Sequence, residues 1–196
     1  MQKLTRADLH SLETYHEKRS ELRHQVLAHK ANRKVYLGAH AALYFEDRIT
    51  IQYQIQEMLR VERIFASAAI EDELDAYNPL IPDGDNLKAT FMLEYADADQ
   101  RRVALTRLRG IENTVWLQVG TEPRVVAVAD EDLGRSDDDK TAAVHFLRFQ
   151  FTPAMIAACA AGAALGLGIE HPAYQVAVAA VAPAVRAALC ADLISE

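Results

Sequence analysis

The 196-residue sequence predicts an α+β fold: N-terminal helices packed on a mostly antiparallel or mixed sheet, with alanine-rich helices at the C-terminus. Three observations carry this. Apolar residues recur at helical three–four spacing over residues 5–31 and again from Ile49. Between Ala89 and Phe151, short runs rich in β-branched and aromatic residues alternate with turn-forming segments. Proline then opens two alanine-rich segments, at Thr152-Pro153 and at Pro183.

Residues 5 to about 31 read as one amphipathic helix, capped by Thr5 or Asp8. Leu9, Leu12, Tyr15, Leu22 and Val26 form its buried face, and Arg19 snorkels on the same side. Glu13 and His16 form Glu-x-x-His, half of a carboxylate-bridged di-iron motif. At this helical spacing a surface ion pair is the reading. Val35 and Leu37, then Leu43 and Phe45, alternate around Gly38 and read as a short hairpin or two short strands. A helix follows from Ile49, with Ile51, Ile55, Met58, Leu59 and Glu62 on one side, ending at Phe65 or Ser67. Residues 69–77 are a short acidic helix, stopped by Asn78-Pro79 and Pro82-Asp83-Gly84.

The strand ATFMLEYA comes next, then a helix over 98–109 closed by Gly110. VWLQV and RVVAVA pair across Gly120-Thr121-Glu122-Pro123, and GRSDDDK is a polar loop. VHFLRFQF is a strand without a strict period, which suggests cover on both faces. Ala154–Ile169 reads as a buried helix ended by Gly166 and Gly168, with Gly162 and Gly166 on a face of small residues. His171-Pro172-Ala173-Tyr174 is a turn, and a last helix runs from Pro183 to Leu193. Sixteen alanines in residues 154–194 let these helices pack closely. The organisation is a single domain: 1–80 mainly helical and basic, 81–151 sheet-rich, and 152–196 C-terminal helices.

Composition bounds the function. Apolar residues at 51% and charged residues at 25% suffice for a core, which excludes disorder of the whole chain. The net charge of -7 is uneven. Residues 1–63 hold 11 Lys and Arg against 8 Asp and Glu, and the remainder holds 10 against 20. That balance does not fit a nucleic-acid binder. The uncharged stretch from Ala154 to Ile169 is 16 residues, short of the roughly 20 that span a bilayer. With no secretory signal and two cysteines, Cys159 and Cys190, the expectation is a cytoplasmic chain with no membrane span, no disulfide and no cysteine metal site. Cys159 reads as an inert core thiol. Phosphate loops, dinucleotide fingerprints, nucleophile elbows and His-Glu-x-x-His are absent.

The densest polar cluster contains Glu46, Arg48, Gln54, Glu57, Arg60, Glu62 and Arg63. On a helix, Glu57 lies three residues from both Gln54 and Arg60. A carboxylate between an amide and a guanidinium is either a structural pair or the centre of a ligand site. Glu57 is therefore the candidate centre, with the others as candidate ligand-binding residues. His24, His29 and His40 are the candidate imidazoles which, with Glu57, would make a metal site suited to iron or manganese. His24 and His29 are five apart and do not share a helical face.

HKANRKVYLG, FEDRITIQYQIQEMLRVERI, ELDAYNPLIP, VHFLRFQF and HPAY together resemble a bacterial family of about this length, a domain of unknown function. The run FE-x-R-x-T-x-x-x-Q-x-QEM-x-R-x-ER is the most specific part of the resemblance. Members are encoded near rubrerythrin-like proteins and cysteine-rich iron–sulfur oxidoreductases. The resemblance thus implies a role beside redox or iron chemistry and assigns no catalytic residue. Three readings follow: an accessory protein docking on a redox or iron–sulfur partner, with homo-oligomerisation also open; a metal-dependent enzyme or metal binder using Glu46, Glu57, Glu62 and the histidines; and a small-anion binder using Arg48, Arg60 and Arg63.

Overall fold

Alternation of apolar and polar residues folds the middle of this chain into two antiparallel sheets. In a computed structural model, residues 2–132, 134–136 and 139–193 are described. The first sheet has the order β1-β2-β3-β7-β6: β1 (Lys34–Leu37), β2 (Ala41–Phe45), β3 (Asn86–Leu93), β7 (Val144–Gln150) and β6 (Val128–Ala129). The second has the order β5-β4-β8-β9: β5 (Val125–Val126), β4 (Val115–Val119), β8 (Leu165–His171) and β9 (Tyr174–Val178). Every pairing is antiparallel. The expected α+β fold with a mostly antiparallel sheet is what forms.

One apolar core joins the sheets. Leu37, Leu43, Phe45, Leu87, Phe91, Leu147 and Phe149 from the first meet Val115, Leu117, Val119, Leu165, Leu167 and Ile169 from the second. The RVVAVA segment stitches them together. Its Val125 and Val126 pair with β4, and its Val128 and Ala129 pair with β7. A strand that changes sheets makes such a corner. Tyr174 adds a second tie: its hydroxyl donates to Leu37 O at 2.7 Å and accepts from His40 N at 3.2 Å.

The helical layer is built on α1 (Leu12–Ala31), α2 (Arg48–Glu62) and α3 (Ser67–Tyr77). Leu4, Ile51, Ile55, Leu59, Leu74 and Ile81 form its own small core. Asp47 caps α2: its carboxylate accepts from Ile49 N at 3.0 Å and Thr50 N at 2.8 Å, while Thr50 Oγ1 accepts from Asp47 N at 2.9 Å. Arg63, at φ 56°, closes the helix in the left-handed region, before the expected end at Phe65 or Ser67. α4 (Ala98–Arg107) follows β3, and α5 (Pro153–Ala160) and α6 (Pro183–Cys190) lie in the C-terminal part.

Several expectations change. The N-terminal helix does not begin near Thr5. Thr5 opens a single 3-10 turn (Arg6–Asp8), and Ser11 caps α1 by accepting from Thr14 N at 3.2 Å. The strand β7 does keep a strict period, with His145, Leu147 and Phe149 buried and Val144, Phe146 and Arg148 half-exposed. The alanine-rich run is not one helix ended by glycines. It leaves α5 at Ala160 and becomes β8, with Gly166 and Gly168 inside the strand. Leu165, Leu167 and Ile169 face the core, so the glycines face the other way. A Cβ on Gly168 would lie 2.3 Å from Cζ2 of Trp116, its cross-strand partner, so the absent side chain is what lets the indole lie flat on β8.

Gly162 and Gly166 therefore share no helix face. The His171–Tyr174 turn forms as expected, but it joins two strands, β8 and β9. The last helix ends at Cys190, short of Leu193. Strands thus occur in all three segments of the expected partition. Of the polar loop GRSDDDK, Asp137 and Asp138 lie outside the described residues. Among the described residues no helix is long and apolar enough to cross a membrane.

Candidate anion-binding groove

α1 and α2 run antiparallel, touching at Tyr15 and Glu57 near one end and at His29 and Asp47 near the other. The interface is apolar toward Val26 and Ile55 and polar where Glu57 enters. Tyr15 and Arg19 are one turn apart on α1, and Glu57 and Arg60 are one turn apart on α2. All four meet. Arg19 Nε donates to Glu57 Oε1 and Arg19 Nη2 to Oε2, each at 2.8 Å. Tyr15 Oη donates to Oε1 at 2.7 Å. Arg60 adds weaker contacts at 3.4 and 3.2 Å.

The Arg19 hydrogen bonds, helped by Arg60 and Tyr15 and opposed by burial, hold the Glu57 carboxyl down at about 2. Burial and the Glu57 charge push the Tyr15 phenol well above its usual range. Glu57 is thus a fixed anion that orients two guanidiniums at the floor of the α1–α2 junction.

Above it lies a groove of about 730 Å³ lined by His16, Arg19, Ser20, Arg23, His24, Leu27 and Arg60. His16, Ser20, Arg23 and Leu27 follow the three–four spacing of α1 and form its stripe beside α2. Arg23 has no carboxylate partner among the described residues. The lining holds three guanidiniums, two imidazoles and a hydroxyl, with no carboxylate among them. Such a surface offers hydrogen-bond donors and positive charge to an anion.

A family model described as a protein of unknown function, DUF3501, matches residues 3–193. The chain belongs to the DUF3501 family. It is similar to a protein of unknown function from Burkholderia pseudomallei whose crystal structure is solved, with 51% sequence identity and a TM-score of 0.94. That likeness covers 98% of this chain and 100% of the other. No curated protein matches the chain.

Within this DUF3501 member, the sequence-nominated residues scatter. Arg60 lines the groove and Glu57 lies beneath it. Gln54 is half-buried on α2 and does not join them; the partners of Glu57 come instead from α1. Glu46 accepts from Thr50 Oγ1 at 2.5 Å and Thr90 Oγ1 at 2.7 Å, which ties α2 to β3. Arg48 pairs with Asp8 at 2.5 Å. Glu62 is exposed, and Arg63 is the exposed cap of α2. Of Arg48, Arg60 and Arg63, only Arg60 lines the groove, where it stands beside Arg19 and Arg23.

The candidate metal ligands do not converge. His24 lies in the groove lining, and His29 Nε2 contacts Asp47 Oδ2 at 2.5 Å. His40 stacks on Tyr95 with ring centroids 4.1 Å apart. Glu57 is held by the arginines and Tyr15. Among the described residues, no three His, Cys, Asp or Glu side chains are grouped to hold a metal ion. Glu13 and His16 are both exposed.

Two buried polar clusters escaped sequence reasoning. Arg33, 3% exposed, pairs with Asp192 and with Asp47 at 3.3 Å, and donates to Phe45 O at 3.1 Å and to Ala188 O and Glu46 O at 3.3 Å. It fastens α6 to the start of α2. His145, fully buried, holds Asp130 Oδ2 at 2.6 Å through Nδ1, and its Nε2 lies 2.8 Å from Thr141 Oγ1. Thr141 and Ser136 both donate to Glu112. The only advance signal was a histidine at an inward position of β7.

Proposed function

We propose that the chain is a binding protein whose α1–α2 groove takes a small anion bearing phosphate or carboxylate groups. The observation that carries this reading is the convergence of Arg19, Arg23 and Arg60 on one groove with no carboxylate in its lining. A volume of about 730 Å³ suits a small molecule, since such sites span roughly 300–1,000 Å³. Glu57 supports the reading by fixing Arg19 and Arg60 before a ligand arrives, which lowers the ordering cost of binding. Arg23 supplies an uncommitted fork for the ligand itself. The accessory role beside a redox or iron–sulfur partner, implied by the resemblance, is compatible with a ligand held here.

The test is calorimetric titration with inorganic phosphate and, separately, citrate at low ionic strength. Saturable binding that weakens as salt is added supports the reading. Absence of saturable binding of either anion contradicts it.

A further inference from the structure

A second cavity opens along the α1–α2 seam, running from Tyr15 to His29. Its volume is about 420 Å³, and it shares no lining residue with the anion groove. Tyr15 lines this cavity and Arg19 lines the groove, so the Glu57 carboxylate that both grip stands between the two. Two stripes build the walls. Leu22, Val26 and His29 follow the i, i+4, i+7 spacing of one face of α1, and Ile49, Tyr53 and Gln56 follow the same spacing on α2. No Asp, Glu, Lys or Arg side chain lines the cavity. Gln56 and Gln52 are committed to the segment before α1: Gln56 Oε1 accepts from His10 N at 2.6 Å, and Gln52 Nε2 donates to Asp8 O at 2.5 Å. His29 and Tyr53 keep polar atoms in reserve. His29 Nε2 is held by Asp47 Oδ2 at 2.5 Å, and Asp47 is itself held by Arg33 and by the first turn of α2. An ionised carboxylate only accepts, so the neutral imidazole carries its proton on Nε2 and offers Nδ1 as an acceptor. Neither His29 Nδ1 nor Tyr53 Oη has a hydrogen-bond partner among the described residues.

We propose that this cavity binds an uncharged, planar heteroaromatic ring that carries an N–H group and a ring acceptor. His29 Nδ1 takes the N–H, the Tyr53 hydroxyl donates to the acceptor, and the ring lies against Leu22, Val26 and Ile49. The lining selects this class from both sides. An ionic ligand would lose its hydration here with no opposite charge in the walls to replace it. A purely apolar ligand would leave the imidazole nitrogen and the phenol without partners once water is expelled. Asp47 is a positioning residue: its contact with Nε2 sets the tautomer and the ring orientation of His29 before a ligand arrives. The volume lies within the roughly 300–1,000 Å³ of small-molecule sites.

The test is an amide-resolved NMR titration of the folded protein with benzimidazole at about pH 8, where that probe is uncharged. The expected result is saturable shifts confined to residues around the cavity. The probe 1-methylbenzimidazole, which lacks the N–H, should bind about tenfold more weakly. Indole keeps the N–H and lacks the acceptor nitrogen, so Tyr53→Phe should weaken benzimidazole and leave indole unchanged. Ile49→Glu puts a carboxylate in the wall. Ile49 is exposed in the first turn of α2, where an acidic residue suits the helix end, so this variant should fold and lose benzimidazole. The absence of saturable shifts, shifts centred elsewhere, equal affinity of the parent for the two benzimidazoles, or parental affinity in the folded Ile49→Glu variant would overturn the proposal.

Discussion

Arg19 and Glu57 face each other through two parallel hydrogen bonds of 2.8 Å, from Nε to Oε1 and from Nη2 to Oε2. This fork joins α1 to α2, and the buried Tyr15 hydroxyl depends on the same carboxylate. The pair is therefore both a packing device and the floor of the groove. Its two roles separate by mutation, because Glu57 contributes to stability while Arg23, which has no carboxylate partner among the described residues, is the arginine that the proposed anion site offers to a ligand.

Replacing Glu57 with glutamine should lower stability by about 1–2 kcal/mol, a range that allows for solvent screening near the open groove. The folded carboxyl sits at about 2, below its ordinary 4.5. Its stabilising contribution is thus complete above about pH 4.5 and is lost as pH falls through about 2. Denaturant unfolding from pH 2 to 6 should show the parent losing this increment on acidification, and Glu57→Gln lacking it.

Asp192 should act in the opposite sense. Burial raises its carboxyl from 3.8 to about 6, with a further push from Asp47 and against the pull of Arg33. The folded state then holds the extra proton between those values. Stability from this group is full below about pH 4 and declines as pH rises through about 6, by at most about 3 kcal/mol. Asp192→Asn should flatten the stability profile between pH 4 and 7. An unchanged slope would show that Asp192 does not titrate there.

Arg33→Met should cost about 3–5 kcal/mol, because it leaves two buried carboxylates, Asp47 and Asp192, without their shared cation. Adding Asp192→Asn should recover part of the loss. Urea unfolding of the single and double variants measures both effects.

Gly168→Ala should destabilise by about 1–3 kcal/mol, since the new methyl would sit on the Trp116 ring. Trp116 is the single tryptophan, so a shift in its emission reports the displaced indole. A variant with parental stability and emission would show that β8 accommodates a side chain at this position.

Local chemistry was legible where one periodicity dominated. Ile51, Ile55 and Leu59 marked α2, and Val35, Leu37, Leu43 and Phe45 marked the first hairpin. Leu165-Gly166-Leu167-Gly168-Ile169 was misread because two glycines among alanines resemble a helix stop. The true signal was alternation; the Trp116 ring, about fifty residues away in sequence, gives Gly168 its reason, and the close backbone carbonyls of Val178 and Ala179 give Gly166 its own. Glu57 was legible as a centre, since the spacing to Arg60 is intrinsic to one helix. Tyr15, Arg19 and Arg23 as its companions were not, because they depend on how α1 crosses α2. The joining of Arg33 to Asp192 likewise arises only when the chain closes.

The most direct test of the groove compares phosphate binding by the parent with that of Arg23→Gln combined with His24→Gln. Both side chains are exposed on α1 and line the groove, so the variant should unfold at the parental denaturant concentration. Calorimetric titration at low ionic strength should show affinity reduced by at least about tenfold, the equivalent of about 1.4 kcal/mol. Parental affinity in the folded variant would place the anion elsewhere and contradict the account.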